Sequence, residues 1–170
     1  MIINQWVPAA HRGDAIGDSA RRVRDLLRAL GHDSELYALT IDDELRGDVR
    51  SFSDNAARLG DVTIFHYALP SPMTGAFRSL PAGRVLQYHN VTPAAYFAPY
   101  DAGLFRLAAL AREELKTLVG RVDVPLIVFG EPEVILDLLV RGNAADEQKI
   151  HQPVVQDAVQ GRTADAPRHT

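Results

Sequence analysis

Residues 84–93 read Arg-Val-Leu-Gln-Tyr-His-Asn-Val-Thr-Pro, an apolar start followed by a polar cluster and a proline. This pattern is typical of a buried parallel strand whose carboxyl end opens into a site. In open α/β sheets, ligands bind in the crevice outside the carboxyl ends of the strands. We therefore expect the functional site of the chain to lie close to His89 and Asn90.

The remainder of the chain alternates predicted strands with predicted helices. The strands are expected at residues 2–7, 35–40, 62–67, from 84 onward, and 124–129. The helices are expected from about residue 18 to Gly31, from Ser71 to Leu80, from Asp101 to Gly120, and from Pro132 to about Val140. Between them, residues 42–60 are expected to form a loop and a short helix anchored by Phe52 and Leu59. Strands that alternate with helices in this way predict an α/β fold with a doubly wound parallel sheet.

The predicted fold accounts for one domain, residues 1–142. From Asn143 onward, polar, alanine, proline and charged residues dominate. Residues 143–170 are therefore expected to form a tail that is a frayed helix or disordered.

The composition argues against several classes of function. With 18 Lys and Arg against 22 Asp and Glu, the net charge is −4, which argues against a nucleic-acid partner. Four arginines, Arg21, Arg22, Arg24 and Arg28, are expected on the solvated face of a helix rather than in a phosphate-binding patch. The absence of cysteine excludes a disulfide framework and a thiolate nucleophile.

No segment of the sequence resembles a signal peptide, and no apolar run approaches the roughly 20 residues that cross a bilayer. We therefore expect a cytoplasmic protein without a transmembrane segment.

Two glycines precede the first predicted helix. Gly13 and Gly17 would let the backbone approach a ligand, and the free amides of a first helical turn can bind an anion. Their spacing matches neither G-x-G-x-x-G nor a Walker loop. An ordinary tight turn explains the two glycines equally well, so both interpretations remain open.

Two histidines end neighbouring predicted strands. A single histidine at such a position is more often structural, but His66 and His89 together, beside Tyr67, Tyr88 and Asn90, favour a polar ligand pocket. A metal site is not expected, because no carboxylate or third histidine has a spacing that would complete it. The serines occupy predicted caps and turns, so no Ser-His-Asp arrangement is predicted.

Several segments between residue 1 and about residue 123 are informative through their order and spacing. These are Ile2-Ile3-Asn4-Gln5-Trp6, Gly13-Asp14-Ala15-Ile16-Gly17-Asp18, Arg28-Ala29-Leu30-Gly31-His32, Phe65-His66-Tyr67 with Ser71-Pro72, Gln87-Tyr88-His89-Asn90-Val91-Thr92-Pro93, and Phe97-Ala98-Pro99-Tyr100-Asp101. With these segments, the sequence resembles the N-terminal half of a family-4 glycosyltransferase with the GT-B fold, which consists of two Rossmann-like domains.

The resemblance implies a Rossmann-like domain that binds a sugar or glycan acceptor, while a separate C-terminal domain binds a nucleotide-sugar donor. It implies that His89 is the catalytic residue, facing the transferred sugar and steadying developing positive charge. It implies no metal and no cofactor. The residues expected to bind substrate are Gly13, Asp14, Gly17, His66, Tyr67, Tyr88, Asn90 and Thr92.

The sequence also departs from the family pattern. The donor domain, with its phosphate-binding Arg and Lys and its pair of glutamates, has no counterpart, and Gly130-Glu131-Pro132 stands where a Ser-Glu-Phe-like strand end is expected. We therefore expect a transferase that is inactive until a donor domain completes it, from a truncated or frameshifted gene product, an excised domain or a split enzyme.

Two alternatives remain. One is a non-catalytic binding or interaction module derived from a truncated glycosyltransferase. The other is a flavodoxin-like domain for a small phosphorylated ligand.

The aromatic residues after the opening stretch have two interpretations. Tyr96, Phe97 and Tyr100 could stack on a sugar or cover the sheet edge, and covering the edge is favoured. An isolated half of a two-domain enzyme would also expose the face that its partner covers. These three residues and Leu104 are therefore expected to form a patch that causes self-association or mediates contact with a donor domain.

Overall fold

The computed structural model describes residues 1–89, 92–119 and 123–127. The strands are β1 (Ile3–Ala10), β2 (Leu36–Ile41), β3 (Arg50–Ser51), β4 (Val62–Tyr67), β5 (Gly83–Tyr88) and β6 (Val124–Ile127). The helices are α1 (Ala15–Ala29), α2 (Met73–Arg78) and α3 (Ala102–Val119).

The strands form one parallel sheet in the order β3-β2-β1-β4-β5-β6. The chain runs outward from β1 to β3 and then returns to the other side of β1 to continue with β4. This is the Rossmann strand order, and its reversal makes the β1–β4 boundary the topological switch point. The predicted α/β fold with a doubly wound, Rossmann-like parallel sheet is confirmed.

Both faces of the sheet are covered. On one face, Ile3, Ile64 and Val85 pack together with Val23 and Leu27 of α1. We call this the α1 face.

The other face carries the larger core. Trp6 and Phe65 pack there against Phe77 of α2 and against Ala111 and Leu115 of α3. We call this the α3 face. Since the central strands are apolar on both sides, their sequences show no simple alternation of polar and apolar residues.

The first strand is longer than predicted. The strand was expected at residues 2–7, since Pro8 follows and proline has no N–H group to donate, yet β1 continues to Ala10. The pairing of β1 with β4 stops at Trp6, so Pro8 lies where only β2 flanks the strand. A proline without an N–H group is tolerated at such an edge position.

The first helix begins earlier than predicted. Asp14, rather than a residue near Asp18, is its N-cap, and its carboxylate accepts hydrogen bonds from the backbone N–H groups of Ile16 and Gly17. At the other end, Gly31 has φ = 84°, which confirms the expected stop.

The expectation of a solvated arginine face is wrong for Arg24. This residue is only 4% exposed, and its Nη2 lies 2.7 Å from Asp48 Oδ1 while its Nη1 donates to the Asp48 carbonyl oxygen. Arg28 pairs with Glu35. Helical spacing could not reveal these contacts, because the acidic partners lie outside α1: Asp48 in the loop after β2, and Glu35 just before β2.

The segment between β2 and β4 is mostly irregular. It contains two 3-10 turns, Asp43–Leu45 and Asn55–Arg58, on either side of β3. Phe52 is buried as expected, but Leu59 is 66% exposed, so its predicted role as an anchor is wrong. Ala57 is buried instead. The carbonyl oxygen of Ala57 accepts a hydrogen bond of 2.9 Å from Nε1 of the Trp6 indole.

The third helix begins at the predicted cap. Asp101 Oδ1 accepts from the backbone N–H groups of Gly103 and Leu104. The sequence places Leu104, Leu107, Ala111, Leu115 and Leu118 at helical spacing, which predicts one apolar stripe. Ala111, Leu115 and Leu118 are buried, whereas Leu104 is exposed, because the first turns of α3 extend beyond the core.

Several predictions lie outside the described residues. These concern the end of the strand after Ile127, the helix at Pro132, the tail 143–170 and Asn90. Within the described ranges, no helix has both the length and the apolar character needed to cross a membrane.

Candidate functional site

Four polar side chains lie on the α1 face at the carboxyl end of the central strands. His66 and Gln87 are register partners on β4 and β5, and His89 follows two residues after Gln87. Gln5 pairs with Ile64, two residues before His66, so its side chain also projects from this face. The apolar layer beneath α1 therefore gives way to a polar layer at the topological switch point.

Three of these side chains form a hydrogen-bonded chain. His66 Nε2 lies 2.9 Å from Gln5 Oε1, and His66 Nδ1 lies 3.0 Å from His89 Nε2. The two ring centroids are 5.2 Å apart and the ring planes differ by 19°. With the short contact between the nitrogens, this geometry describes two rings lying edge to edge in nearly one plane.

Burial keeps both imidazoles neutral. Loss of solvent lowers the pKa of His66 well below its ordinary value, and the neighbouring His89 lowers it further. Burial also lowers the pKa of His89 to about 4, although the nearby Asp14 carboxylate partly opposes this shift. At neutral pH, each ring therefore has one N–H donor and one acceptor nitrogen.

The N-terminus of α1 borders the same rim. The N–H groups of Ile16 and Gly17 are both hydrogen-bonded by the capping carboxylate of Asp14, at 3.2 and 3.3 Å, so they are already partnered. Gly13 has φ = 75°, a conformation that favours glycine. At Gly17, a Cβ atom would make only an ordinary contact of 3.6 Å with Asp14. The turn thus explains Gly13 directly, while neither backbone conformation nor a close contact explains Gly17.

Two carboxamides in the polar layer have unpartnered atoms. Gln5 Nε2 and both Gln87 Nε2 and Gln87 Oε1 make no hydrogen bond, although both residues are fully buried. A buried polar group without a partner costs about 1–3 kcal/mol, and such groups often mark the position of a bound water or a ligand. The layer therefore has unused hydrogen-bonding capacity beside His66 and His89.

The two tyrosines predicted to bind substrate project from the opposite face. The hydroxyl of Tyr67 donates to the carbonyl oxygen of Ala111 in α3 at 2.7 Å, and burial raises its pKa. Tyr88 is also buried among the side chains of the α3 face. The structure therefore brings together His66, His89 and Asp14 and separates the tyrosines from them.

Of the other residues predicted to bind substrate, Thr92 is exposed and Asn90 lies outside the described residues.

Two members of the polar layer were not predicted as site residues. Gln5 and Gln87 occur in the expected segments, but neither was expected to bind substrate. The available signal was a glutamine within an apolar strand, two residues before His89 in the case of Gln87. On strands buried on both sides, this signal does not tell which face the side chain takes.

Among the described residues, no group of three or more His, Asp or Glu side chains is placed to hold a metal ion. His66 Nδ1 and His89 Nε2 are hydrogen-bonded to each other.

Comparisons with protein-family models, curated proteins and solved structures found no match for the chain.

Proposed function

We propose that the chain is the acceptor-side domain of a GT-B glycosyltransferase, which transfers a sugar from a nucleotide-sugar donor to a sugar or glycan acceptor when a donor domain completes the cleft. Three features support the proposal: the order of the sequence motifs, the Rossmann-like fold, and a polar layer at the switch point. The proposal includes a cytoplasmic location and excludes a nucleic-acid partner.

The observation on which the proposal chiefly depends is the neutral His89 at this rim. Its Nε2 is engaged by His66 at 3.0 Å, and burial lowers its pKa to about 4. A neutral imidazole can hydrogen-bond a sugar hydroxyl without attracting every anion in the surroundings. Asp14 at the start of α1 supplies a negative charge that acts on the His89 ring, which would also favour a neutral or partly positive ligand group.

The unpartnered carboxamide of Gln87 favours a second candidate, a binding module without catalysis. A carboxamide offers both a donor and an acceptor, which suits recognition of a polar ligand and requires no chemical step. The two candidates share a ligand class and differ in turnover.

Binding of neutral sugars to the full chain tests the shared part. Saturation-transfer NMR with a panel of methyl glycosides, short glycans and nucleotide sugars should detect saturable binding of at least one neutral sugar. The change His89→Ala should weaken it by about tenfold, or about 1.4 kcal/mol. His32→Ala, in the turn between α1 and β2 and therefore near the amino ends of the strands, is the matched control and should bind like the unaltered chain.

Failure of every sugar to bind, or equal binding by the His89 variant, would overturn the proposal. Turnover separates the two candidates once a donor domain is supplied. If the chain joined to a GT-B donor domain transfers sugar and His89→Ala abolishes the transfer, the module without catalysis is ruled out. The absence of transfer by the joined protein would rule out the glycosyltransferase.

A further inference from the structure

We propose that Gln5 and His66 are positioning residues that fix the tautomer of His89, so that its Nε2 carries the proton and its Nδ1 is a hydrogen-bond acceptor. The inference deepens the proposed function because it specifies the ligand group that meets His89. It rests on that function only for the identity of the ligand, since the tautomer is a property of the free chain.

Gln5 determines which nitrogen of His66 carries the proton. The carboxamide oxygen of Gln5 lies 2.9 Å from His66 Nε2, and a carboxamide oxygen can only accept. The proton of His66 must therefore lie on Nε2. Both side chains are fully buried, so bulk water does not compete for this contact.

His66 in turn determines which nitrogen of His89 carries the proton. A neutral imidazole has a single N–H, so His66 Nδ1 has a lone pair once Nε2 carries the proton. His89 Nε2, 3.0 Å away, must then donate to it. With 5.2 Å between the ring centroids and 3.0 Å between the two nitrogens, both nitrogens lie close to the line that joins the rings, so the N–H points at the lone pair.

The remaining nitrogen of His89, Nδ1, is a hydrogen-bond acceptor. Because Nε2 carries its only proton, Nδ1 has a lone pair, and no hydrogen bond to Nδ1 is found among the described residues. His89 is also less buried than His66, which is fully enclosed.

The ligand group that meets Nδ1 must therefore donate a proton, as a hydroxyl of a neutral polyol does. Phosphate and carboxylate oxygens that only accept would face a lone pair, with the Asp14 carboxylate nearby. The expected ligand is thus a neutral hydroxyl compound rather than an anion.

Gln87 provides a matched comparison for Gln5. It is the register partner of His66 on the neighbouring strand and projects from the same face. It is equally buried, yet its carboxamide bonds to neither histidine. Replacing Gln87 therefore removes a buried carboxamide beside the rings without removing a hydrogen bond that orients them.

Nitrogen NMR of the full chain tests the inference directly. In a sample labelled with ¹⁵N at histidine, long-range ¹H–¹⁵N correlations distinguish protonated from unprotonated ring nitrogens. At pH 7.5, His66 and His89 should each show a single tautomer with the proton on Nε2. Gln5→Leu should convert both rings to mixtures of tautomers, whereas Gln87→Leu should leave both spectra as in the unaltered chain.

A proton on Nδ1 of His89 in the unaltered chain would overturn the inference, because it would mean that Gln5 presents its nitrogen instead. An unchanged His89 tautomer in Gln5→Leu would also overturn it. If that variant does not fold, His66→Phe removes the acceptor of the His89 proton and should likewise give a mixture; the spectrum of the unaltered chain decides in either case.

Ligand probes separate this inference from the proposed function. A bound methyl glycoside should shift the His89 Nδ1 resonance, and inorganic phosphate at the same concentration should not. If the tautomer is as expected but no sugar binds, the positioning role stands and the proposed function fails. If a sugar binds while His89 carries its proton on Nδ1, the positioning role fails and the proposed function stands.

Discussion

His66 and His89 are joined by a hydrogen bond of 3.0 Å between Nδ1 and Nε2, at the carboxyl ends of adjacent strands. Their backbones also meet there, since the N–H of His89 donates to the carbonyl oxygen of Tyr67, the residue after His66. The ladder between β4 and β5 therefore fixes the distance between the two rings. A contact held by strand pairing is more rigid than one between two loop residues.

The fold should become less stable as the pH decreases below about 6.5, because the pKa values of His66 and His89 are lower in the folded chain than in the unfolded chain. Both have lowered pKa values in the folded state, that of His89 to about 4. Above the unfolded pKa of about 6.5, neither state binds these protons and the pair has no effect. As the pH decreases from about 6.5 to about 4, the unfolded chain binds protons that the folded chain does not bind, so the free energy of unfolding decreases.

The slope should approach about 1.4 kcal/mol per pH unit for each histidine. Below about pH 4 the contribution of His89 levels off, because the folded chain then binds the same proton. Urea unfolding between pH 7.5 and 4.5 measures the slope, and His89→Gln should show a clearly smaller one. Parallel curves for the variant and the unaltered chain would contradict the assignment.

Asp14 should have two separable roles, as a helix cap and as a charge. Asp14→Ala removes the acceptor of two N–H groups and should cost about 1 kcal/mol of unfolding free energy. Asp14→Asn should retain most of the stability, because asparagine caps as well as aspartate. Both changes remove the charge that raises the pKa of His89, so both should lower that pKa further.

Chemical denaturation and an NMR titration of His89 distinguish the two roles of Asp14. A rise in the pKa of His89 in either variant would show that the carboxylate does not act on the ring as inferred.

The two buried glutamines should respond in opposite ways to the same substitution. Gln5→Leu leaves the Nε2–H of His66 without an acceptor in a fully buried position and should cost about 1–3 kcal/mol. Gln87→Leu removes two polar atoms that have no partner, so it should be neutral or stabilising by up to about 2 kcal/mol.

Thermal and urea unfolding of both leucine variants measure the difference. A strong destabilisation by Gln87→Leu would indicate that a bound water or another polar occupant satisfies its carboxamide.

The exposed aromatic patch should promote self-association. Tyr96 and Tyr100 are 66% and 87% exposed, and Leu104, four residues after Tyr100, is also exposed, whereas Phe97 packs partly against the core. Contiguous exposed apolar side chains often mark an interaction surface. The triple change Tyr96→Ser, Tyr100→Ser and Leu104→Ser should lower the weight-average mass at high protein concentration.

Sedimentation equilibrium measures this mass. Leu110→Ser is a suitable control, since Leu110 is an exposed leucine farther along the same helix. A monomer at all concentrations for the unaltered chain would show that the patch does not mediate self-association.

Part of the fold follows from short sequence patterns, such as β-prone runs and helix caps. The β-branched run Val62–Tyr67 is a strand with the predicted bounds, and Asp101 caps α3 as expected. The alternation of strands and helices was sufficient to predict a parallel sheet, and the strand ends were sufficient to place His66 and His89 at one rim. These features depend on a few neighbouring residues, so the sequence by itself determined them.

The tertiary structure decided which side chains share a face. Tyr67 lies next to His66 in the chain but projects from the opposite side of the sheet, where its hydroxyl bonds to α3. Because both faces of the central strands are buried, their sequences lack the alternation that would mark an inward side. Only the register between β1, β4 and β5 brings Gln5 beside His66, and it thereby determines which nitrogen of His89 is left to meet a ligand.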